Sequence, residues 1–230
     1  MKVLVFDSGW GGELFAKQLE QEIPVIDVVR MIDWQTGTYA KLSDHEILEQ
    51  TALNLERAVG RFDLIIIASF TISAVALEAL KQRFPEQEFM DFKPKAPKRL
   101  QKLNGGNVVV LASSIVKNTN EYKKAIKQMK NVTVIEPEIA DEWIERIDRD
   151  ELENEEIFRE LGQYDPDAIV CFETAFSDIK KSVEQCFGWR TAFYDQLKEE
   201  IDGISKILNT RFWVTGRRKC VPHLIPQISV

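Results

Sequence analysis

Two apolar segments of this chain repeat one plan. Asp63-Leu-Ile-Ile-Ile-Ala-Ser69 and Asp167-Ala-Ile-Val-Cys-Phe-Glu173 each start on an aspartate and pass through five apolar residues to a polar one. Short apolar runs bounded by polar residues read as strands covered on both faces. Two of them on one pattern read as an internal duplication. Strand and helix patterns alternate along the rest of the chain, as in parallel sheets covered by helices, so the fold class is α/β. At the matching ends of the repeat the residues differ, Ser69 in one half and Glu173 in the other.

The remaining elements follow from period and punctuation. Residues 2–6 read as a buried strand, and Asp7-Ser-Gly-Trp-Gly-Gly12 as a Gly-rich turn into a helix over roughly 13–21, with a second strand at about 25–31. Ser43-Asp-His-Glu46 has the form of a capping box that opens a helix running to about residue 59. His45 then falls in its first turn and reads as a surface residue. Strand 63–69 leads to a helix at 73–83, and Pro94 and Pro97 punctuate a link to a strand at 107–112. The second half reads as helix 119–129, strand 132–135, an acidic helical stretch at 138–161, strand 168–172 and helix 176–186. A strand at 191–194 and a helix at 196–208 are expected to return to the first domain, giving residues 1–94 with 190–230 as one domain and 95–189 as the other.

Composition narrows the function classes. With 230 residues, 44% hydrophobic and 29% charged, the chain can bury a sizeable core. A net charge of −7 opposes nucleic-acid binding, which is built from many Lys and Arg contacts to phosphate. Two small basic clusters, Lys93, Lys95, Lys98 and Arg99 and then Arg217, Arg218 and Lys219, read as solvated loops. Cys171, Cys186 and Cys220 are odd in number and show no CxxC spacing; with only His45 and His223 besides, neither a disulfide framework nor a metal centre is indicated. No apolar run reaches the roughly 20 residues of a membrane span, and the first residues enter a strand pattern directly, so a cytoplasmic protein is expected.

Chemistry is expected at the carboxyl ends of the strands, where open parallel sheets bind ligands. Three loops qualify: 7–12, 69–73 and 173–177. Gly9, Gly11 and Gly12 could turn backbone N–H groups toward one anion at a helix start. Asp7 stands beside them, and a carboxylate at a buried strand end is costly unless it pairs or works.

These loops, Asp7-Ser-Gly-Trp-Gly-Gly12, the segment from Asp63 through Ser69-Phe-Thr71 to Leu77, and Asp167 through Glu173-Thr-Ala-Phe176, resemble the three signature loops of the aspartate/glutamate racemase superfamily, nearest to glutamate racemase. The likeness continues through Asp33, Tyr39 and Ser43, through Leu111-Ala-Ser113 to Tyr122, and into Phe212-Trp-Val-Thr-Gly216. It implies two pseudo-symmetric parallel-sheet α/β domains with an interdomain cleft, no cofactor, and often a dimer. It also implies two-base chemistry, in which one cysteine thiolate removes the α-proton of glutamate and a second thiol protonates the opposite face. The positions matching those cysteines are Ser69 and Glu173. Asp7, Ser8, Tyr39, Thr71 and Thr174 are kept, whereas the family's Asn is Phe70, its His is Ala175, and its Pro-Tyr-Gly is Thr38-Tyr39-Ala40.

The resulting expectation is a racemase-like protein without the two-cysteine chemistry, which binds a small carboxylate, an amino acid or a related ligand in its cleft. Glu173, Asp7 and Ser69 are its candidate catalytic positions; Ser8, Tyr39, Phe70, Thr71, Ser113 and Thr174 are its candidate ligand contacts. No metal, cofactor, nucleic-acid or membrane partner is expected, and a homodimer is. The alternative is a cofactor-independent enzyme of altered chemistry with Glu173 and Asp7 as acid and base. A third reading is an interaction protein with a vestigial cleft, which Trp10 and Trp34 could fill. Sliding the second motif by two residues would instead place Cys171 at the cysteine position, on the same strand face as Glu173, at the loss of the Thr174 and Phe176 matches.

Overall fold

The computed structural model describes residues 1–37, 39–102 and 105–214. Thr38, Gly216, the basic cluster at 217–219, Cys220 and His223 lie outside the described residues.

The first sheet has the order β2-β1-β3-β4, from β1 (Lys2–Asp7), β2 (Asp27–Ile32), β3 (Leu64–Ile67) and β4 (Phe89–Asp91). The second has the order β6-β5-β7-β8, from β5 (Asn107–Leu111), β6 (Thr133–Ile135), β7 (Ala168–Cys171) and β8 (Ala192–Tyr194). All pairings are parallel, and the two orders are the same permutation. The repeated aspartates have one structural task in both halves. Asp63 accepts the N–H of Lys2 at 2.7 Å and Asp167 that of Asn107 at 2.8 Å, tying the start of each central strand to its neighbour.

Helices cover both sheets. They are α1 (Trp10–Glu22), α2 (Asp44–Leu55), α3 (Phe70–Val75) and α4 (Leu77–Arg83) in the first half. The second half has α5 (Ser114–Lys117), α6 (Asn120–Gln128), α7 (Ala140–Asp148), α8 (Asn154–Gly162) and α9 (Lys180–Phe187), before the closing α10 (Leu197–Val214). The capping box forms as expected, with Glu46 N–H on Ser43 Oγ at 3.3 Å and Ser43 N–H on Glu46 Oε2 at 2.8 Å. No described helix is long and apolar enough to cross a membrane.

Strand alternation divides the core into layers. Val3, Val5, Ile66, Val108, Val110 and Val170 turn to one cluster shared by both sheets, with Phe15 from α1 and Leu197, Ile201 and Ile204 from α10. Leu4, Phe6, Ile65 and Ile67 face α2 and α4, while Val109, Leu111, Ile169 and Cys171 face Trp143, Leu161 and Val183.

Several expectations are corrected. The strand at 192–194 pairs with β7 in the second sheet, so this part of 190–230 does not return to the first domain. α10 does lean that way, packing against α1, and it is tied to the link after β4 by Lys95 N–H on Gln196 Oε1 at 3.1 Å and by the Lys95–Glu200 ion pair at 2.5 Å. Part of the first basic cluster thus anchors a helix. The acidic stretch at 138–161 is two helices, α7 and α8, parted at Asp150, whose φ is +55°. The helix expected at 73–83 starts earlier, at Phe70, and breaks at Ala76.

Candidate functional site

Register brings the four strand ends together. Phe6 lies beside Ile67 in the first sheet, so Asp7-Ser8 and Ala68-Ser69 leave it side by side; Leu111 lies beside Cys171 in the second, so Ser113 and Glu173 do the same. Asp7, Ser8 and Ser69 of the first sheet face Glu173 of the second across a cavity of about 30 Å³. Asp7, Ser8, Ser69, Thr71, Glu173 and Thr174 line it, with Tyr39 and Ala40 from a one-turn 3-10 helix and Ile144 and Asp148 from α7.

Seven of the nine candidate residues therefore share one cavity, Tyr39 being the seventh. Phe70 and Ser113 do not line it. Phe70 turns into the shared core, with ring centroids 5.7 Å from Phe92 and 6.5 Å from Phe172. Ser113 is fully buried behind Glu173; its hydroxyl donates to Glu173 Oε1 at 2.5 Å and accepts the N–H of Val116 at the start of α5. Ser69 caps α3 in the same way, accepting the N–H of Ile72 at 3.3 Å.

Burial sets the electrostatics. It raises the Glu173 carboxyl from its ordinary 4.5 to about 7, against the opposing hydrogen bonds from Ser113 and from Thr71 at 3.2 Å. Burial also pushes Asp7 well up, although Ser8 N–H donates to it at 2.6 Å and Thr174 Oγ1 at 3.1 Å; nearby Asp148 and Glu173 raise it further. Asp148 is raised by burial too. Among the described residues no Lys, Arg or His lines the cavity. Tyr39 is oriented from behind, its hydroxyl donating at 2.8 Å to Asp33. Asp33 itself is driven up by burial but held below the ordinary carboxyl value by donors from Thr36, Tyr39 and Gln50.

The glycines serve close packing instead of an anion nest. A Cβ on Gly11 would stand 2.1 Å from Thr174 Oγ1, one on Gly12 2.3 Å from Asp7 Cβ, and one on Gly9 2.6 Å from Asp148 Oδ1. The first N–H of α1, that of Trp10, is already taken by Asp148 at 2.8 Å. Asp148 and Ile144 are the cavity residues that sequence reasoning missed; their signal is the helical spacing of 141, 144, 145 and 148 on one face of α7. Trp10 does not fill the cavity. It sits 6.4 Å from Trp34, ring to ring, and its Nε1–H donates to Asp178 at 3.3 Å. Cys171 faces the outer core of the second sheet, where burial raises its thiol well above the ordinary value, and it does not line the cavity.

No family model matches the chain. A 130-residue stretch is 31% identical to glutamate racemase of Aquifex aeolicus, covering 56% of this chain and 51% of that protein. Over 224 residues the chain is 22% identical to glutamate racemase of Lactococcus lactis, covering 94% of itself and 82% of the relative. Escherichia coli glutamate racemase, solved with L-glutamate and the activator UDP-MurNAc-Ala, superposes with a TM-score of 0.76 at 22% identity over 90% of this chain and 82% of that one. Two four-stranded parallel sheets flanked by helices, facing each other over a cavity, are thus the fold of glutamate racemase, and the chain is similar in sequence to those enzymes over most of its length.

Proposed function

We propose that this chain is a member of the aspartate/glutamate racemase superfamily that has lost two-cysteine racemisation and binds a small carboxylate or amino acid between its lobes. The observation that carries this reading is that Ser69 and Glu173, which the resemblance sets at the cysteine positions, both line the cavity. Ser69 Oγ accepts the Ile72 N–H, and among the described residues no hydrogen bond joins it to a base that would ionise it. Among the described residues no thiol lines the cavity: Cys171 is turned into the core and Cys186 lies against the Asn154 carbonyl.

The raised carboxyls bear on the ligand. Below about pH 7 Glu173 is largely protonated, so it donates a hydrogen bond where an ionised side chain would repel a carboxylate. Burial raises Asp7 in the same direction, which favours its neutral form over the ionised one. The solved Escherichia coli relative is named as a complex with L-glutamate, which supports an amino acid as the first ligand to test. On the same reading the protein is a cytoplasmic homodimer that uses no cofactor.

A second reading is favoured by Glu173 alone. An ordinary thiol ionises near 8.5 and an ordinary Glu near 4.3, a deficit of about 5–6 kcal/mol in proton affinity. With Glu173 at about 7 the deficit shrinks to roughly 2 kcal/mol. Glu173 can then work as a one-sided general base or acid, with Asp7 as its counterpart. Incubation in D2O with each enantiomer of glutamate and aspartate, followed by NMR of the α-proton, decides between these readings. Thermal stabilisation without exchange supports the binding reading, and exchange with retention that vanishes in Glu173→Gln supports one-sided catalysis. Racemisation of either substrate overturns both.

A further inference from the structure

Helix α7 meets the first lobe along one face. Ala140, Trp143 and Ile147 turn into the core of the second sheet, and residues 141, 144, 145 and 148 form the adjoining face, with Ile144 at its edge also packed against that core. Asp141 stays within its own lobe, accepting the N–H of Ser114 at 3.0 Å. Ile144 lines the cavity. The other two cross to the first lobe: Glu145 pairs with Lys41 at 2.6 Å, and Asp148 accepts the Trp10 N–H at 2.8 Å.

Both partners belong to segments that wall the cavity. Lys41 ends the 3-10 turn that carries Tyr39 and Ala40, and Trp10 begins the helix whose preceding Gly9 lies against the Asp148 carboxylate. A cavity of about 30 Å³ has room for a water molecule or two, so a ligand of amino-acid size is fully seated only when these walls part. The two contacts also differ in kind. Asp148 meets a backbone N–H at a helix start in a half-buried place, whereas Lys41 is 69% exposed and its ion pair is screened by salt.

We propose that α7 is an interlobe latch, in which Asp148 on Trp10 and Glu145 on Lys41 hold the cavity shut and must release for a ligand to enter. The latch is independent of which ligand the cleft takes and of whether it reacts. Asp148 is the main catch, and the Lys41 pair is a weaker, salt-sensitive one.

Amide hydrogen exchange of the full-length protein tests this, comparing wild type with Asp148→Ala, Lys41→Ala and the double variant. The informative amides are that of Thr71, which lines the cavity, and that of Ile72, whose N–H is held by the cavity residue Ser69; both lie in α3, away from α7. The latch predicts that they exchange about tenfold faster in Asp148→Ala and faster still in the double variant, while amides of β1 and β5 stay protected. Lys41→Ala, at an exposed position, gives a smaller rise that 1 M NaCl reproduces in the wild type. Unchanged exchange at Thr71 and Ile72 in the double variant would overturn the proposal. So would an equal loss of protection through both sheets, since α7 would then be only a structural support.

Discussion

Glu173 takes up a proton on folding because burial outweighs the hydrogen bonds from Ser113 and Thr71. Its native value, about 7, lies above the ordinary 4.5, so the folded state holds the proton more tightly than the unfolded one. Stability from this group is therefore full below pH 4.5 and lost as pH rises to about 7. Between pH 5 and 8 the loss amounts to roughly 2–3 kcal/mol. Glu173→Gln has no such titration, so urea unfolding at the two pH values should show a difference smaller by that amount in the variant. Asp7 contributes in the same direction in both proteins. At this scale the sequence was informative about identity and silent about depth. Asp7, Ser69 and Glu173 were legible as strand-end polar residues, but Ser113 and Phe70 were not placeable, because one residue of alternation decides whether a side chain meets the cavity or the core.

Among the elements, α1 is set tightly against its neighbours. Its start is pressed so closely against the second lobe that a Cβ on Gly11 would lie 2.1 Å from Thr174 Oγ1 and 2.6 Å from the backbone nitrogen of Ala175. Backbone cannot step aside as a side chain can. Gly11→Ala should lower stability by about 1–3 kcal/mol through overpacking, measured by chemical denaturation, despite the better helix propensity of Ala. The turn from β1 into α1 was legible from its glycines, but their use was not, since close approach to Thr174 is a long-range fact. The break between α7 and α8 was invisible for the same reason. No Gly or Pro marks it; Arg146 folds α8 back by donating to the carbonyl of Glu151 at 3.0 Å and pairing with Glu156. The capping box of α2, a wholly local motif, was read correctly.

For the whole molecule, the deciding feature is the core shared by both sheets. An aromatic chain runs through it: Phe15 is 4.8 Å from Phe92, Phe92 is 5.7 Å from Phe70, and Phe172 is 6.5 Å from Phe70 and 5.7 Å from Tyr122. The two halves accordingly lean on the same buried surface, and calorimetry should show one cooperative transition for the full chain. Phe172→Ala, which opens a cavity where the sheets meet, should cost about 3–5 kcal/mol and lower that single transition without splitting it. The alternating strand and helix patterns made the parallel sheets legible. They could not assign β8, because a three-residue strand carries little periodicity and its partner is chosen by packing.

The matching strand orders have a consequence for how such a pocket can diversify. A symmetric pair of separate half-length chains would present the same residue at both strand ends, so any change on one side would be copied on the other. Joining the halves in a single polypeptide frees them to drift apart. Here one end is a hydroxyl that caps a helix and the other a carboxyl raised to about 7, two roles that a pair of identical copies could not hold at once.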